Sequence, residues 1–520
     1  MKTDRRTFLK ACGVFVAGIS TGGSSVLVKS KKSRRPNVIL FMTDDQGWGD
    51  VGFNGNDDIV TPNLDRLAAK GANLYHFFSG CPVCSPTRAT VLTGRHYFRY
   101  GIWTANTGRL PREEYTIPNA LQEKGYATGH FGKWHLGSPH PDYTGKGGGE
   151  SDKHLARPEW FGYDKHFVTH HAVSTWDPYG PGGSEAETTD NPYWEDGQRV
   201  TEKLTGCDTR IIMDRVIPFI ETAAENDKPF FTVIWSHAPH TPIQAGPKYR
   251  KMYEDRGLDD KKINYYGSIT ALDDQVGRLD AKLKELGVWD NTMFWYCSDN
   301  GPAKHTRDGG YGSTDGMRGK KAQLFNGGVC VPAFLVWPGK VKSGQTIKTP
   351  LSTLDYLPTV FAAAGASVPD KRPIDGENII DIVTGKRSER KKTIPFRFRE
   401  SQAPELSLLK GKYRYYTNFD TEESEGDMLF DFFGNRGEDV NIIKEKPAIA
   451  AAMRKEAIEF IRSCENSYYG NDYPEGNSYE PMGPWHKMKN RPLSSPDERG
   501  KKDKKDKKER ARKKARKREK

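Results

Sequence analysis

From residue 36 onward the chain alternates short apolar runs with stretches of helical spacing. That alternation predicts an α/β sheet rather than an all-helical or all-β fold. Asn37–Met42 (NVILFM) reads as a buried strand, as do Tyr126–Phe131, Pro229–Trp235, Thr292–Cys297 and Val331–Trp337. Pro62–Lys70 reads as a helix capped by Thr61, opened by a proline and ended by Gly71; Ile117–Lys124 is another, stopped by Gly125. Two amphipathic stretches, Thr209–Ala224 (kinked near Pro218) and Ile263–Leu286, predict longer helices. Ser138–Gln198 is rich in Gly, Pro and aromatics without a clear period, so it predicts loops over one face.

Past residue 395 the pattern changes. Ser407–Tyr416 and Met428–Phe433 read as antiparallel strands and Ala448–Ser463 as a helix, with irregular chain over 466–498. The expected layout has four parts. Residues 1–35 are an export signal and linker, and 36–395 a large mixed, mostly parallel sheet sandwiched by helices. Residues 396–490 form a small C-terminal α+β domain with an antiparallel sheet, and 491–520 a basic tail.

Charge sharpens this layout. The 520 residues carry a formal net charge of +12, which taken alone invites a nucleic-acid or polyanion partner. By position, residues 1–35 are +8, residues 499–520 are +11, and the body between them is −7. Nucleic acid therefore drops out as an expected partner. Asp4-Arg5-Arg6-Thr7-Phe8-Leu9-Lys10 before a short, Gly-rich apolar run resembles a twin-arginine export signal, without the usual Ser/Thr before the arginines. The expectation is export to the periplasm or beyond, with no integral membrane span. The tail reads as a solvated charge run, or as a salt-sensitive tether to acidic polysaccharide. Six cysteines outside the signal are too few for a disulfide framework.

Four predicted strand ends carry polar residues that a core does not need: Thr43-Asp44-Asp45, Lys133 with His135, His237 with His240, and Ser298-Asp299-Asn300. Ligands in open α/β sheets bind at the carboxyl ends of strands, which groups these residues into one site. A lone Asp-Asp is commonly a turn or cap. Two acidic pairs at two strand ends instead offer all-oxygen ligands suited to Ca2+ or Mg2+ and not to zinc. Cys84-Ser85-Pro86-Thr87-Arg88-Ala89-Thr90-Val91-Leu92-Thr93-Gly94-Arg95 places a cysteine at a helix N-terminus, where free amides and the dipole favour anions.

This last segment resembles the signature of the formylglycine-dependent sulfatases, Cys-x-Pro-x-Arg followed by Leu-Thr-Gly-Arg. The resemblance extends over most of residues 37–445. It takes in Asn37–Asp50, Gly132-Lys133-Trp134-His135-Leu136-Gly137, Ala238-Pro239-His240-Thr241-Pro242, Ser298-Asp299-Asn300-Gly301, and Leu429-Phe430-Asp431 with Glu438-Asp439-Val440-Asn441. It implies an alkaline-phosphatase-like fold and conversion of Cys84 to Cα-formylglycine by a maturating enzyme. It also implies one cation, Ca2+ or Mg2+, held by Asp44, Asp45, Asp299 and Asn300 together with residue 84. In the implied reaction the aldehyde hydrate attacks sulfur while Lys133, Lys321 and Arg88 neutralise charge. His240 then protonates the leaving oxygen, and His135 takes a proton from the second hydroxyl to expel sulfate.

The sequence departs from the family pattern between residues 318 and 330. Lys320 stands where Gly is usual, Asn326 replaces Glu and Cys330 replaces Arg, leaving both Lys320 and Lys321 as candidates to face sulfate. Aromatic and histidine residues of the 138–198 stretch, among them His170, His171 and Trp176, are candidate sugar contacts. The expected substrate is a sulfated glycan carrying a galactosamine or galactose 6-sulfate unit. Two alternatives stand beside it: a phosphodiesterase or phosphonate monoester hydrolase of the same superfamily, and a non-catalytic polyanion-binding protein.

Overall fold

Asn37–Thr43 is wholly buried, and its alternate residues serve two different cores. Val38, Leu40 and Met42 pack on one face of the sheet, Ile39 and Phe41 on the other. A strand covered on both faces must be apolar throughout, which is why this run shows no polar alternation. In the computed structural model, which describes residues 35–145, 154–180, 190–398, 405–418 and 426–482, it lies within a ten-stranded sheet. Across that sheet the strands run Gln345–Ile347, Ala72–Leu74, Ala333–Val336, Thr292–Ser298, Asn37–Thr43, Phe230–Trp235, Ala127–Lys133, Lys165–Thr169, Trp194–Glu195 and Gln198–Arg199. The five from Thr292–Ser298 to Lys165–Thr169 are parallel. Ala333–Val336 and the short outer pair run antiparallel to their neighbours.

Helices cover both faces. Leu64, Leu67, Ile212, Val216, Leu272 and Leu279 bring helices Pro62–Lys70, Asp208–Glu225 and Asp260–Glu285 onto the Ile39 face. Helices Cys84–Thr93, Ile117–Glu123 and Tyr356–Ala364 pack on the Val38 face. A separate antiparallel sheet follows, Ile394–Arg397, Leu406–Lys410, Tyr413–Thr417 and Met428–Asp431, backed by helix Pro447–Tyr468. Its Phe396, Leu408, Tyr415 and Leu429 join the same apolar cluster as Val38 and Leu92. The architecture is the expected large mixed sheet between helices with a small antiparallel addition.

Several local expectations need correction. The 138–198 stretch is not loop alone, because Lys165–Thr169 extends the central sheet in parallel with Ala127–Lys133. Val331–Trp337 breaks at Pro332, which has no N–H to give a ladder; Cys330–Val331 pairs with Phe77–Phe78, while Ala333–Val336 stays in the main sheet. Ser407–Tyr416 folds back on itself at Gly411, whose φ of +56° turns the chain. The division expected at 395/396 falls inside strand Ile394–Arg397. Thr61 occupies the N-cap position of Pro62–Lys70, but its hydroxyl donates to Asp65. The cap comes from across the fold, where the Asp273 carboxylate accepts from the amides of Asn63 and Leu64 at 3.1 and 2.7 Å. The export signal and the basic tail lie outside the described residues. Among the described residues no helix is long and apolar enough to cross a membrane.

One buried ion pair fastens the exit of helix Cys84–Thr93. Arg99 donates to both oxygens of Asp375 at 2.7 Å, and Asp375 also accepts from the His96 amide at 2.6 Å. The same guanidinium reaches Ser463 and Ser467 of the C-terminal helix at 2.9 Å, tying that helix to the main body. Burial would raise the Asp375 carboxyl, but Arg99 outweighs it and holds the group at about 2. The unfolded value is about 3.9. The stabilisation is therefore fully present above about pH 4 and is lost as pH falls toward 2. Asp375→Ala leaves Arg99 buried without its partner and is expected to destabilise the protein by about 3–5 kcal/mol in urea unfolding. The acid-side fall of stability between pH 4 and 2 should be shallower in that variant.

Candidate active site

Strand register assembles the site. Thr43 pairs with Ser298 across two parallel strands, so the residues that follow, Asp44-Asp45 and Asp299-Asn300, emerge side by side at one sheet edge. Backbone bonds fix their approach: the Asp299 amide donates to Thr43 O and the Asp44 amide to Ala238 O, each at 3.1 Å. Asp45 adopts a φ of +65°, which turns its amide onto Asp299 Oδ1 at 3.1 Å. Gly301 is dictated by packing, since a Cβ there would lie 1.9 Å from Gly327 O.

Lys133 arrives from the end of Ala127–Lys133 and donates to Asp44 Oδ2 at 2.6 Å. Arg88 comes from the wholly buried helix Cys84–Thr93, which starts at Cys84 itself with Val83 as N-cap. Its guanidinium lies over the Trp235 ring, donates to Asp299 Oδ2 at 2.8 Å and stands 3.6 Å from Asp44 Oδ2. Lys321 bonds both Asp45 oxygens, at 2.5 and 2.8 Å. Lys320 turns away to an exposed partner, Asp308, at 2.7 Å. The structure thus brings Lys321 rather than Lys320 to the acidic cluster. His240 stands at the mouth, about a quarter exposed, with Nε2 3.6 Å from Asp45 Oδ2.

The electrostatics follow from burial and these neighbours. Burial alone would raise Asp44, but Lys133, His240, Arg88 and Lys321 together hold it well below the usual carboxylate range. Asp45 is lowered mainly by Lys321 against the same opposition. Asp299 goes the other way, pushed up to about 7 by burial and by the Asp44 charge. Burial also raises the Cys84 thiol, so an unmodified cysteine here is a poor nucleophile. His135 is held well below its ordinary value by burial and by Lys133, and is neutral.

The donor set fits a hard cation. Ligand atoms of Asp44, Cys84 and Asp299 lie within 4.8 Å of one another. Asp44 Oδ1 and Asn300 Oδ1 are buried without a hydrogen-bond partner. Orphaned oxygens on a carboxylate and an amide, beside two further carboxylates, are what Ca2+ or Mg2+ takes up.

The three residues offered as sugar contacts part company. His170 is buried with its ring edge-on to His135, centroids 5.5 Å apart. His171 is half-buried, with Nδ1 3.0 Å from Ala172 O. Trp176 is partly buried, and its indole lies so close over Gly246 that a Cβ there would sit 2.1 Å from the ring. It also joins Cys207, Ala245 and Tyr249 in a small cluster of its own. Sequence reasoning missed Asn106, whose Oδ1 meets His135 Nε2 at 2.9 Å. It lies in Thr104-Ala105-Asn106-Thr107-Gly108, a string of turn-forming residues whose only signal is a loop.

Known proteins place this geometry. The Sulfatase family model matches residues 36–366. Mouse (Mus musculus) N-acetylgalactosamine-6-sulfatase is 31% identical over 414 residues, covering 75% of this chain and 74% of that protein. Arylsulfatase G of Rattus norvegicus is 30% identical over 400 residues, covering 68% of this chain and 70% of that one. The crystal structure of Ps i-CgsB with k-i-k-neocarrahexaose superposes with a TM-score of 0.71 at 26% identity, covering 85% of this chain and 94% of that chain. The phosphonate monoester hydrolase of Agrobacterium radiobacter shares the fold, with a TM-score of 0.55 at 19% identity over 83% of this chain and 96% of that one. With the strand-end carboxylates, the buried Cys84 helix and the family match in agreement, the chain belongs to the sulfatase family and is a sulfuric ester hydrolase.

Proposed function

We propose that this protein removes sulfate from a sulfated glycan, using residue 84 as Cα-formylglycine and one divalent cation, Ca2+ or Mg2+. The observation that carries the reading is the meeting of Cys84, at the start of a buried helix, with three carboxylates and three cationic side chains at the strand ends. The glycan is supported by the relatives, one named for N-acetylgalactosamine 6-sulfate and another bound to a neocarrahexaose. A galactosamine or galactose 6-sulfate unit is the substrate class proposed. The twin-arginine-like N-terminus supports export to the periplasm or beyond, with maturation of Cys84 by a formylglycine-generating enzyme beforehand.

Asp44, Asp45, Asp299 and Asn300 would hold the cation, which when bound would supply Lewis-acid positive charge to the reacting groups. Hydrated formylglycine supplies two hydroxyls, one to bond sulfur and one whose ionisation frees sulfate without water attacking sulfur. The chain's own residues do the rest. Arg88, Lys133 and Lys321 are preorganised, mostly water-excluded cations that balance charge on the sulfuryl oxygens. His240, at the mouth, gives a proton to the departing alcohol oxygen. His135, buried and neutral, takes a proton from the second hydroxyl.

Peptide mass spectrometry of the Cys81–Arg88 segment from the native host is expected to show the thiol replaced by an aldehyde. An intact thiol there in active enzyme contradicts the mechanism. Cys84→Ala should abolish hydrolysis of 4-nitrophenyl sulfate, and chelation should do the same reversibly. Faster cleavage of phosphate diesters than of sulfate esters would instead favour the phosphonate-hydrolase branch of the fold. Lys321→Ala is expected to lower kcat/KM by about 100-fold or more. Lys320→Ala, which loses only an exposed ion pair, should change it by less than about fivefold.

A further inference from the structure

His135 leaves its strand in an unusual conformation, with a φ of +58°, and is held there from both sides. The Trp134 amide donates to Thr169 O at 2.8 Å, and Leu136 O accepts from the Leu110 amide at 2.7 Å. The residue is 4% exposed. Its two nitrogens have different fates: Nε2 lies 2.9 Å from Asn106 Oδ1, while Nδ1 is buried with no hydrogen-bond partner. Asn106 is itself in the left-handed region, φ +58°, within the tight turn bridged by Thr104 and Thr107. Asparagine is one of the few side-chain-bearing residues that tolerates this conformation.

An amide oxygen only accepts, so the Nε2 facing it must carry the proton. A neutral imidazole has a single ring proton, and the partner of one nitrogen therefore decides the state of the other. The charged or titratable groups that weigh most on His135 are Lys133, His170, Arg88 and His171. All four oppose its charged form. What is left to choose is the tautomer.

We propose that Asn106 is a positioning residue of the sulfatase site: it keeps the His135 proton on Nε2 and so leaves Nδ1 bare as the proton acceptor. This rests on the reading of His135 as the base of sulfate release. In that step Nδ1 takes the proton of the second hydroxyl on residue 84. The electron pair of that O–H bond forms the carbonyl, and the bond from carbon to the sulfate oxygen breaks. Sulfate leaves with the pair of that broken carbon–oxygen bond, the proton stays on Nδ1, and the aldehyde is restored with atoms and charge balanced. A ring protonated on Nδ1 would be unable to begin the step. Alcohol release, which needs His240 and not His135, is indifferent to Asn106.

Two measurements test this on the full-length, matured, cation-loaded enzyme. The first reads the tautomer directly, from 15N spectra of histidine-labelled protein, with His135→Gln identifying the signals. A protonated Nε2 and a bare Nδ1 are expected in the wild type, and a mixed or reversed tautomer in Asn106→Ala. A wild-type ring protonated on Nδ1 overturns the proposal, whether or not the enzyme proves to cleave sulfate esters. The second separates the half-reactions with 4-nitrophenyl sulfate. Asn106→Ala is expected to release the first equivalent of nitrophenol at a near wild-type rate, while steady-state turnover falls by about 10- to 100-fold.

Asn106→Asp, which can only accept, should restore most of the steady-state rate. Its carboxylate also favours protonated His135, so the acid limb of the pH profile should move to higher pH. Equal loss of the first turnover and the steady state in Asn106→Ala marks a purely structural loop contact and overturns the proposal. So does an Asp variant no better than Ala. Failure of wild-type enzyme to cleave any sulfate ester would sink the sulfatase reading, and the ring spectrum would still decide the role of Asn106.

Discussion

Burying Asp44, Asp45 and Asp299 together is the constraint from which the rest of the structure follows. Asp44 and Asp299 have no exposure and Asp45 only 2%. Ionised carboxylates taken out of water are strongly destabilising unless charges of opposite sign are held against them. Arg88, Lys133 and Lys321 supply those charges at 2.5–2.8 Å. Each must come from a different element, because one element cannot place cations on three sides of a cluster at a sheet edge. Hence the helix Cys84–Thr93 is buried along its whole length, the strand Ala127–Lys133 ends on a lysine, and the loop of Lys321 folds back over the site. The balance is incomplete, since Asp299 is still pushed up to about 7. A site that raises one carboxylate and orphans oxygens of Asp44 and Asn300 is built to receive more positive charge.

That same logic explains which parts were legible beforehand. Strands buried on both faces leave continuous apolar runs, so Asn37–Thr43, Phe230–Trp235 and Thr292–Ser298 were readable within a residue or so. Charged and amide residues directly after such runs have no packing role, which made Asp44, Asp45, Asp299 and Asn300 visible as a group. Lys165–Thr169 hid because five residues carrying a lysine and a histidine give too short a period to separate from loop. The capping of Pro62–Lys70 by Asp273, about two hundred residues away in sequence, has no local signature at all. Asn106 escaped for the same reason: its partner is a histidine on another element, and its own neighbours spell only a turn.

The small C-terminal sheet bears directly on the departures at 326 and 330. The family's usual Glu and Arg at these positions would set one charge of each sign beside the Lys321 loop. Here Asn326 and Cys330 carry none, yet charges of both signs are present nearby. Glu438, 1% exposed, accepts from the Asn326 amide at 2.8 Å, and the Arg436 guanidinium lies against Cys330. Arg436 also stacks on Trp48 at 3.9 Å. Charges of both signs therefore reach the Lys321 loop from the segment after strand Met428–Asp431. Burial pushes Glu438 up to about 7, which a carboxylate on a merely decorative surface loop would not show. The Lys321 loop is closed on itself by Gly327 N to Arg318 O at 2.6 Å and tied to the core by Lys321 N to Pro302 O at 2.9 Å. Glu438 thus holds the far end of the loop whose other end carries Lys321, and the sheet that precedes Glu438 shares its core with the main body.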